Sequence, residues 1–182
     1  MLTMVAAIDE NRGIGKSGNL LCHLPGDLEN FKRSTYGGVV VMGRSTYESL
    51  PVHPLPQRRN IVLSRDPNLE LQGAEVIHSI PELFDTISDY RKFLNVYIIG
   101  GASLYSQFIN LVDKLYITHI HHTWEDADVF FPEIDLNIWE CIREEYRDDD
   151  QYPYTFARYV RKPYTWIDRI NNEKNIRFNR TY

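Results

Sequence analysis

The segment Leu24-Pro25-Gly26-Asp27-Leu28-Glu29-Asn30-Phe31-Lys32 sets one carboxylate at the start of a helix with apolar neighbours. Two kinds of chemistry fit that placement. An aspartate near a helix N-terminus is a favourable cap. A carboxylate in an apolar cleft is instead a proton-handling group, because desolvation raises its pKa while helix-start amides oppose the rise. The segment alone favours capping and leaves the net poise open. Leu28, Phe31 and Lys32 fall on the face of Asp27 at a period of 3.6, so Asp27 has an apolar side.

Three further segments bear on anions. Ile99-Gly100-Gly101-Ala102-Ser103-Leu104-Tyr105 runs from a strand through two glycines into a helix, which lets backbone amides approach a phosphate closely. A glycine pair is also a common strand-to-helix turn. Met42-Gly43-Arg44-Ser45-Thr46 again ends a strand at a glycine, with a guanidinium and two hydroxyls at the next helix start. Leu63-Ser64-Arg65-Asp66 repeats hydroxyl plus guanidinium at a third strand end. Two such ends facing one crevice point to a ribose phosphate and favour NADP over NAD. The plain alternative is surface arginines paired to acids.

The elements that must position these groups alternate between strand and helix. Leu2–Ile8, Val39–Met42, Asn60–Ser64, Ala74–His78 and Val96–Ile99 are apolar runs expected as strands of a mostly parallel sheet. Helices are expected at Pro25–Thr35, Thr46–Leu50, Pro81–Ser88 and Ala102–Ile109. Leu115–His121, Ile138–Tyr146 and Tyr154–Val160 alternate in polarity, which suits an antiparallel edge. Gly13, Gly15 and Gly18 are expected in a loop. The resulting open α/β sheet binds ligands at the carboxyl ends of its parallel strands.

The chain has 182 residues, 43% of them hydrophobic and 25% charged, which is room for one soluble domain and a short appendage. The formal charge of −5 argues against a general nucleic-acid or anionic-membrane binder. Two cysteines, Cys22 and Cys141, are too few for a disulfide framework and point to a reducing, cytoplasmic compartment. No run reaches the roughly 18 apolar residues of a membrane span, and the apolar start lacks the basic flank of a signal peptide. Charge is uneven along the chain. Residues 163–182 carry +2 and the rest −7, and Glu144–Asp150 is the most acidic stretch, read as a solvated turn.

In order, these segments resemble the dihydrofolate reductase family from Leu2 to about Lys162. The likeness is carried by Val5-Ala6-Ala7 with Gly13-Ile14-Gly15, by Leu24–Leu28 with Phe31-Lys32, and by Met42–Leu50 and Leu55–Asn60. It continues through Ile98–Gly101, Thr118-His119-Ile120, and Asp128 with Phe131-Pro132. The resemblance implies a single-domain fold with a central sheet of about eight strands, an antiparallel C-terminal edge and about four flanking helices. It implies residues 1–162 as the reductase domain and leaves 163–182 as a basic extension, whose Tyr164, Trp166, Ile167, Ile170, Ile176 and Phe178 are expected to make it amphipathic and to pack it on the body or on a partner. The activity implied is NADPH-dependent reduction of 7,8-dihydrofolate to tetrahydrofolate for one-carbon metabolism and thymidylate synthesis. An antifolate-binding monomer, with no nucleic acid, membrane or metal, completes the expectation.

The same resemblance implies roles residue by residue. Asp27 anchors the pterin and promotes protonation at N5, and Thr118 orients it. Val5, Ala6, Leu28, Phe31, Leu50, Leu55 and Ile99 pack on the substrate, and Arg58 grips its glutamate carboxylate. Ala7, Ile14 and Gly15 face the nicotinamide, under a lid formed by Asn11–Leu21. Gly43, Arg44, Ser45, Thr46, Leu63, Ser64 and Arg65 surround the phosphates, with Gly100, Gly101, Ala102, Ser103, Leu104 and Tyr105 beneath them.

The chain departs from the family in three places: Leu21-Cys22 stands where Pro-Trp is usual, Ala102 replaces a frequent glycine, and Ser103 replaces a polar or basic residue. Cysteine lacks an indole donor, which alters how water is held near Asp27. Cys22 is read as a buried inert thiol, with a reactive cleft-edge thiol as the alternative. His119, His121 and His122 lack the ligand spacing of a metal site. Competing readings are a reductase of a pyrimidine in riboflavin synthesis, disfavoured by Asp27, Phe31 and Arg58 together, and a binding protein that has kept the fold.

Overall fold

The computed structural model describes residues 1–90 and 93–163. Ten strands and four helices occur among them, in the order β1 (Leu2–Ile8), β2 (Gly13–Gly15), α1 (Pro25–Thr35), β3 (Val39–Gly43), α2 (Arg44–Ser49), β4 (Arg59–Leu63), β5 (Glu75–Ile77) and α3 (Ile80–Tyr90). They are followed by β6 (Val96–Ile98), α4 (Ala102–Phe108), β7 (Lys114–Ile120), β8 (Val129–Phe130), β9 (Trp139–Arg147) and β10 (Tyr154–Arg161). Eight strands form one sheet in the order β5-β4-β3-β6-β1-β7-β10-β9. Every neighbouring pair from β5 to β7 is parallel, and β10 runs antiparallel to both β7 and β9.

The apolar runs explain the layering. Along β3, Val39 and Val41 point into one core with Leu2, Met4 and Ile98, while Val40 and Met42 point into another with Tyr47, Val62 and Tyr97. All four β3 residues are fully buried, as expected of a parallel strand covered on both faces. Leu83 and Ile87 of α3 and Leu104 and Phe108 of α4 fill the first core, and Tyr47 of α2 fills the second. Polarity alternates on β7, where Leu115 and Ile117 enter the first core while Tyr116 packs on the second. Thr118 shares the Tyr116 face by the two-residue period of a strand.

Chain order and strand order part company at β6, which returns between β3 and β1. That reversal opens a crevice at the carboxyl ends of β1, β6 and β3. Gly43 N donates to Gly100 O at 2.8 Å and Ile99 N to Val41 O at 2.9 Å, so the two glycine-marked strand ends lie side by side.

Gly13 and Gly15 are not in a loop as expected: they form β2 and pair with β8 in a second, two-stranded sheet. The cause is tertiary. Asp9 Oδ1 accepts from Gly13 N at 2.6 Å, and Phe131 N donates to Arg12 O at 2.7 Å, which brings β8 alongside. Helix α2 begins at Arg44, two residues earlier than expected. The proposed packing of the basic extension falls on 163–182, which beyond Pro163 lies outside the described residues.

Ile98 is fully buried on the strand that delivers the Gly100–Gly101 turn. Ile98→Ala is expected to cost about 2–5 kcal/mol. Urea denaturation should show this as a lower midpoint with little change in slope.

Candidate active site

Helix α1 starts without help from its own sequence. Leu24 occupies the N-cap in extended conformation with no side-chain cap bond, and Pro25 fills the first helical position. Asp27, in the first turn, does not cap the helix: its Oδ1 accepts from Thr118 Oγ1 of β7 at 2.5 Å. The cleft reading of this carboxylate therefore prevails over the capping one.

Asp27 lines a cavity of about 1110 Å³ that opens between α1 and the crevice of the sheet. It keeps some exposed surface because the cavity is open, while protein atoms pack closely round the carboxyl. Burial pushes its pKa above the usual carboxylate range; the Thr118 hydrogen bond works in the opposite direction, and the charge of Asp150 adds to the rise. Leu28 and Phe31 line the cavity beside Asp27, whereas Lys32 is exposed.

Most residues singled out in the sequence meet here. Val5, Ala6, Ala7, Ile14, Gly15, Leu50, Ile99 and Thr118 all line the cavity, with Ala7 and Thr118 register partners on neighbouring strands. Leu55 sits behind, in the apolar cluster with Leu50 and Val40. Arg58 lies beyond Phe31, with its guanidinium 5.9 Å from that ring and bonds to Thr35 Oγ1 at 3.1 Å and Pro56 O at 2.9 Å. Among the described residues it makes no ion pair, and burial lowers its pKa.

The far arm of the cavity runs over Gly43, Arg44, Ser45 and Thr46 to Gly100–Gly101 and Ala102–Tyr105. This arm fits a phosphate chain. Gly100 adopts a φ of 125°, and a Cβ there would stand 3.3 Å from the Tyr105 hydroxyl. At Gly101 it would stand 3.2 Å from Thr46 Oγ1, so the floor between α2 and α4 is bare backbone. The first amides of an α-helix have no intrahelical acceptor, and α2 and α4 both begin beside this floor. Tyr105 is buried and donates to Val5 O at 2.7 Å, tying α4 to β1; burial and the charge of Asp27 both push its pKa up.

Gly43 and Leu63 are register partners, so the Arg44 and Ser64-Arg65 ends adjoin as expected. Leu63, Ser64 and Arg65 lie outside the cavity wall. Arg44 is already paired, through Nε to Glu48 at 2.7 Å and Nη1 to Asp66 at 3.9 Å, which realises the plain alternative for that residue. His78, which the sequence placed only at a strand end, has Nδ1 3.1 Å from Ser64 O.

Two residues change meaning. The acidic stretch is not wholly solvated: Asp150 Oδ2 accepts from Gly26 N at 2.9 Å, at the very start of α1. Cys22 is half-buried in the cavity wall, and its thiol is pushed up to about 11, first by burial and then by Asp27 and Asp150. It is protonated at neutral pH, in keeping with the inert reading. Within the segment expected as a lid, Ser17 N donates to Asp128 Oδ2 at 2.8 Å and Lys16 pairs with Asp126. His119 and His121 face a different depression, where they bond Tyr159 and Thr155.

The family model described as dihydrofolate reductase matches residues 1–161. A dihydrofolate reductase of Bacillus subtilis (strain 168) is 40% identical over 165 residues, covering 89% of this chain and 95% of the relative. One of Neisseria gonorrhoeae is 40% identical over 163 residues, with 88% and 98% covered. A solved structure of dihydrofolate reductase from Enterococcus faecalis, complexed with NADP(H) and RAB-propyl, superposes with a TM-score of 0.79 at 37% identity. It covers 90% of this chain and 97% of that one.

A buried carboxyl that holds its proton more tightly when folded costs stability once it ionises. The folded pKa of Asp27 lies above the unfolded one, so the penalty is absent below the unfolded value and complete above the folded value. Asp27→Asn is therefore expected to melt at a higher temperature than the parent at neutral pH. The gap should close as pH falls below about 3.9, the ordinary aspartate value.

Proposed function

This chain belongs to the dihydrofolate reductase family, and from that premise we propose that it reduces 7,8-dihydrofolate to tetrahydrofolate, with hydride arriving at C6 and a proton at N5. It is thus read as an NADP-dependent oxidoreductase, a reading supported by the NADP(H) complex of its Enterococcus relative. The observation that carries the proposal is one buried carboxyl, Asp27, bonded to Thr118 in a cavity whose other arm is floored by bare glycine backbone.

Each part follows from the chemistry of the side chains. Reduced NADP, when bound, supplies the hydride. Asp27 bonds the pterin amino group and N3 and favours the protonated substrate, because a carboxyl in a dry cleft holds a proton that water would otherwise take. Thr118 fixes which carboxylate oxygen faces the ring. Leu28, Phe31 and Leu50 exclude water along the substrate, and Val5, Ala6 and Ile99 close the wall behind it. Arg58, stacked beyond Phe31 and without an ion pair among the described residues, takes the glutamate carboxylate. The starts of α2 and α4, with Thr46 and Ser103, hold the pyrophosphate. Arg44, Ser64 and Arg65 hold the 2′-phosphate, and Ala7 and Ile14 the carboxamide. The metabolic setting proposed is supply of reduced folate for one-carbon transfer, in a cytoplasmic monomer open to antifolates. Two unpaired cysteines support that setting, and among the described residues no helix is long and apolar enough to cross a membrane.

The test is oxidation of NADPH on adding dihydrofolate, followed at 340 nm. Asp27→Asn should lose most turnover at neutral pH and regain part of it at acid pH, where the substrate arrives protonated. Full activity of that variant at neutral pH would remove Asp27 from the mechanism. Arg58→Met should raise KM for dihydrofolate roughly 10- to 100-fold, the worth of a charged hydrogen-bonded pair, with kcat nearly unchanged. A drop confined to kcat would refute the assigned role.

A further inference from the structure

We infer that Asp150, on the turn between β9 and β10, is a positioning residue for Asp27: it anchors the first turn of α1 and sets a negative charge at the helix start from which the Asp27 side chain departs. The inference rests on the role given to Asp27 above.

The anchoring follows from what α1 lacks. Leu24 offers no side-chain cap and Pro25 has no N–H, so Gly26 supplies the first free amide of the helix. Asp150 Oδ2 takes it at 2.9 Å, from 124 residues along the chain. This is a helix cap delivered by another element. The approach is tight: a Cβ on Gly26 would collide with the Tyr154 hydroxyl and lie 3.2 Å from Asp150 Oδ2. The turn is itself braced, since Tyr154 donates to Asp149 Oδ1 at 3.0 Å and Arg147 lies 4.0 Å from Asp149 Oδ2. Asp27 follows Gly26 directly, so whatever fixes Gly26 fixes where the Asp27 side chain departs.

The bias is electrostatic. Around the Asp27 carboxyl stand Thr118 from β7, Tyr105 from α4, Cys22 from the segment before α1, and Asp150 from the turn. Thr118 is a neutral donor that favours the ionised form, and Tyr105 and Cys22 keep their protons. Asp150 brings the negative charge, which raises the cost of ionising Asp27 and Cys22 alike. It also sits at the positive end of the α1 dipole and offsets the pull of that dipole on Asp27.

Asp150→Asn separates the two effects, because the amide oxygen still accepts from Gly26 N while the charge is gone. Asp150→Ala removes both. The Asp27 carboxyl is titrated by 13C NMR in full-length protein labelled at aspartate, with Asp27→Asn used to assign its resonance. For Asp150→Asn, a melting temperature close to the parent's and an Asp27 midpoint displaced to lower pH are expected. The alkaline limb of kcat/KM should move with the midpoint, giving roughly a two- to fivefold loss above it. Asp150→Ala should show the same displacement and also melt earlier. An unchanged Asp27 midpoint in Asp150→Asn overturns the electrostatic claim, and an unchanged melting temperature in Asp150→Ala overturns the anchoring. The NMR midpoint needs no turnover, so a failure of the assigned catalysis stays distinguishable from a failure of this inference.

Discussion

The hydrogen bond from Thr118 to Asp27 is the contact on which the site depends. It joins a residue in the middle of the sheet to one in the first turn of a helix, and so fixes the floor of the cavity against its wall. It also sets a balance. Burial works against an ionised carboxyl here and a hydroxyl donor works for it, with burial the larger of the two. A structural aspartate would be fully bonded to backbone amides, as Asp9 is through Asn11, Gly13 and Trp124. Asp27 has oxygen capacity to spare, and it lines a cavity of about 1110 Å³.

The sheet serves this arrangement by its order of strands. Because β6 lies between β3 and β1, the Gly43 and Gly100 strand ends are neighbours, although 57 residues of chain separate them. A floor of backbone results, beside which α2 and α4 begin. In the proposed reading, one end of the cavity takes an extended anion and the other a flat ring held by a carboxyl, which brings a hydride donor and an acceptor face to face.

Much of this was legible from residue types. Val39–Met42 and Leu2–Ile8 are so uniformly apolar that only a strand covered on both sides suits them. Gly100-Gly101 before a helix was readable as close backbone approach. The ambiguity of Asp27 was readable too, but not its resolution, since Thr118 lies 91 residues away and nothing local favours cleft over cap. The β2–β8 pairing escaped because strands of three and two residues carry no period, and the bonds that make them come from Asp9 and Arg12. Asp150 escaped for the opposite reason. It stands in a run of charge that suits solvent, and only the folded β9–β10 turn sets one member of the run against α1.

Arg44 arrives at the phosphate arm already engaged, with Glu48 and Asp66 on its guanidinium. In the proposed reading, an incoming phosphate does not meet a bare cation but trades places with two carboxylates. Affinity at that point is then a difference between anions competing for one partner, and dissolved salt weakens both competitors together. In that reading the arm works as an ion exchanger, and a guest binds there only as well as its charge outcompetes Glu48 and Asp66 for the guanidinium.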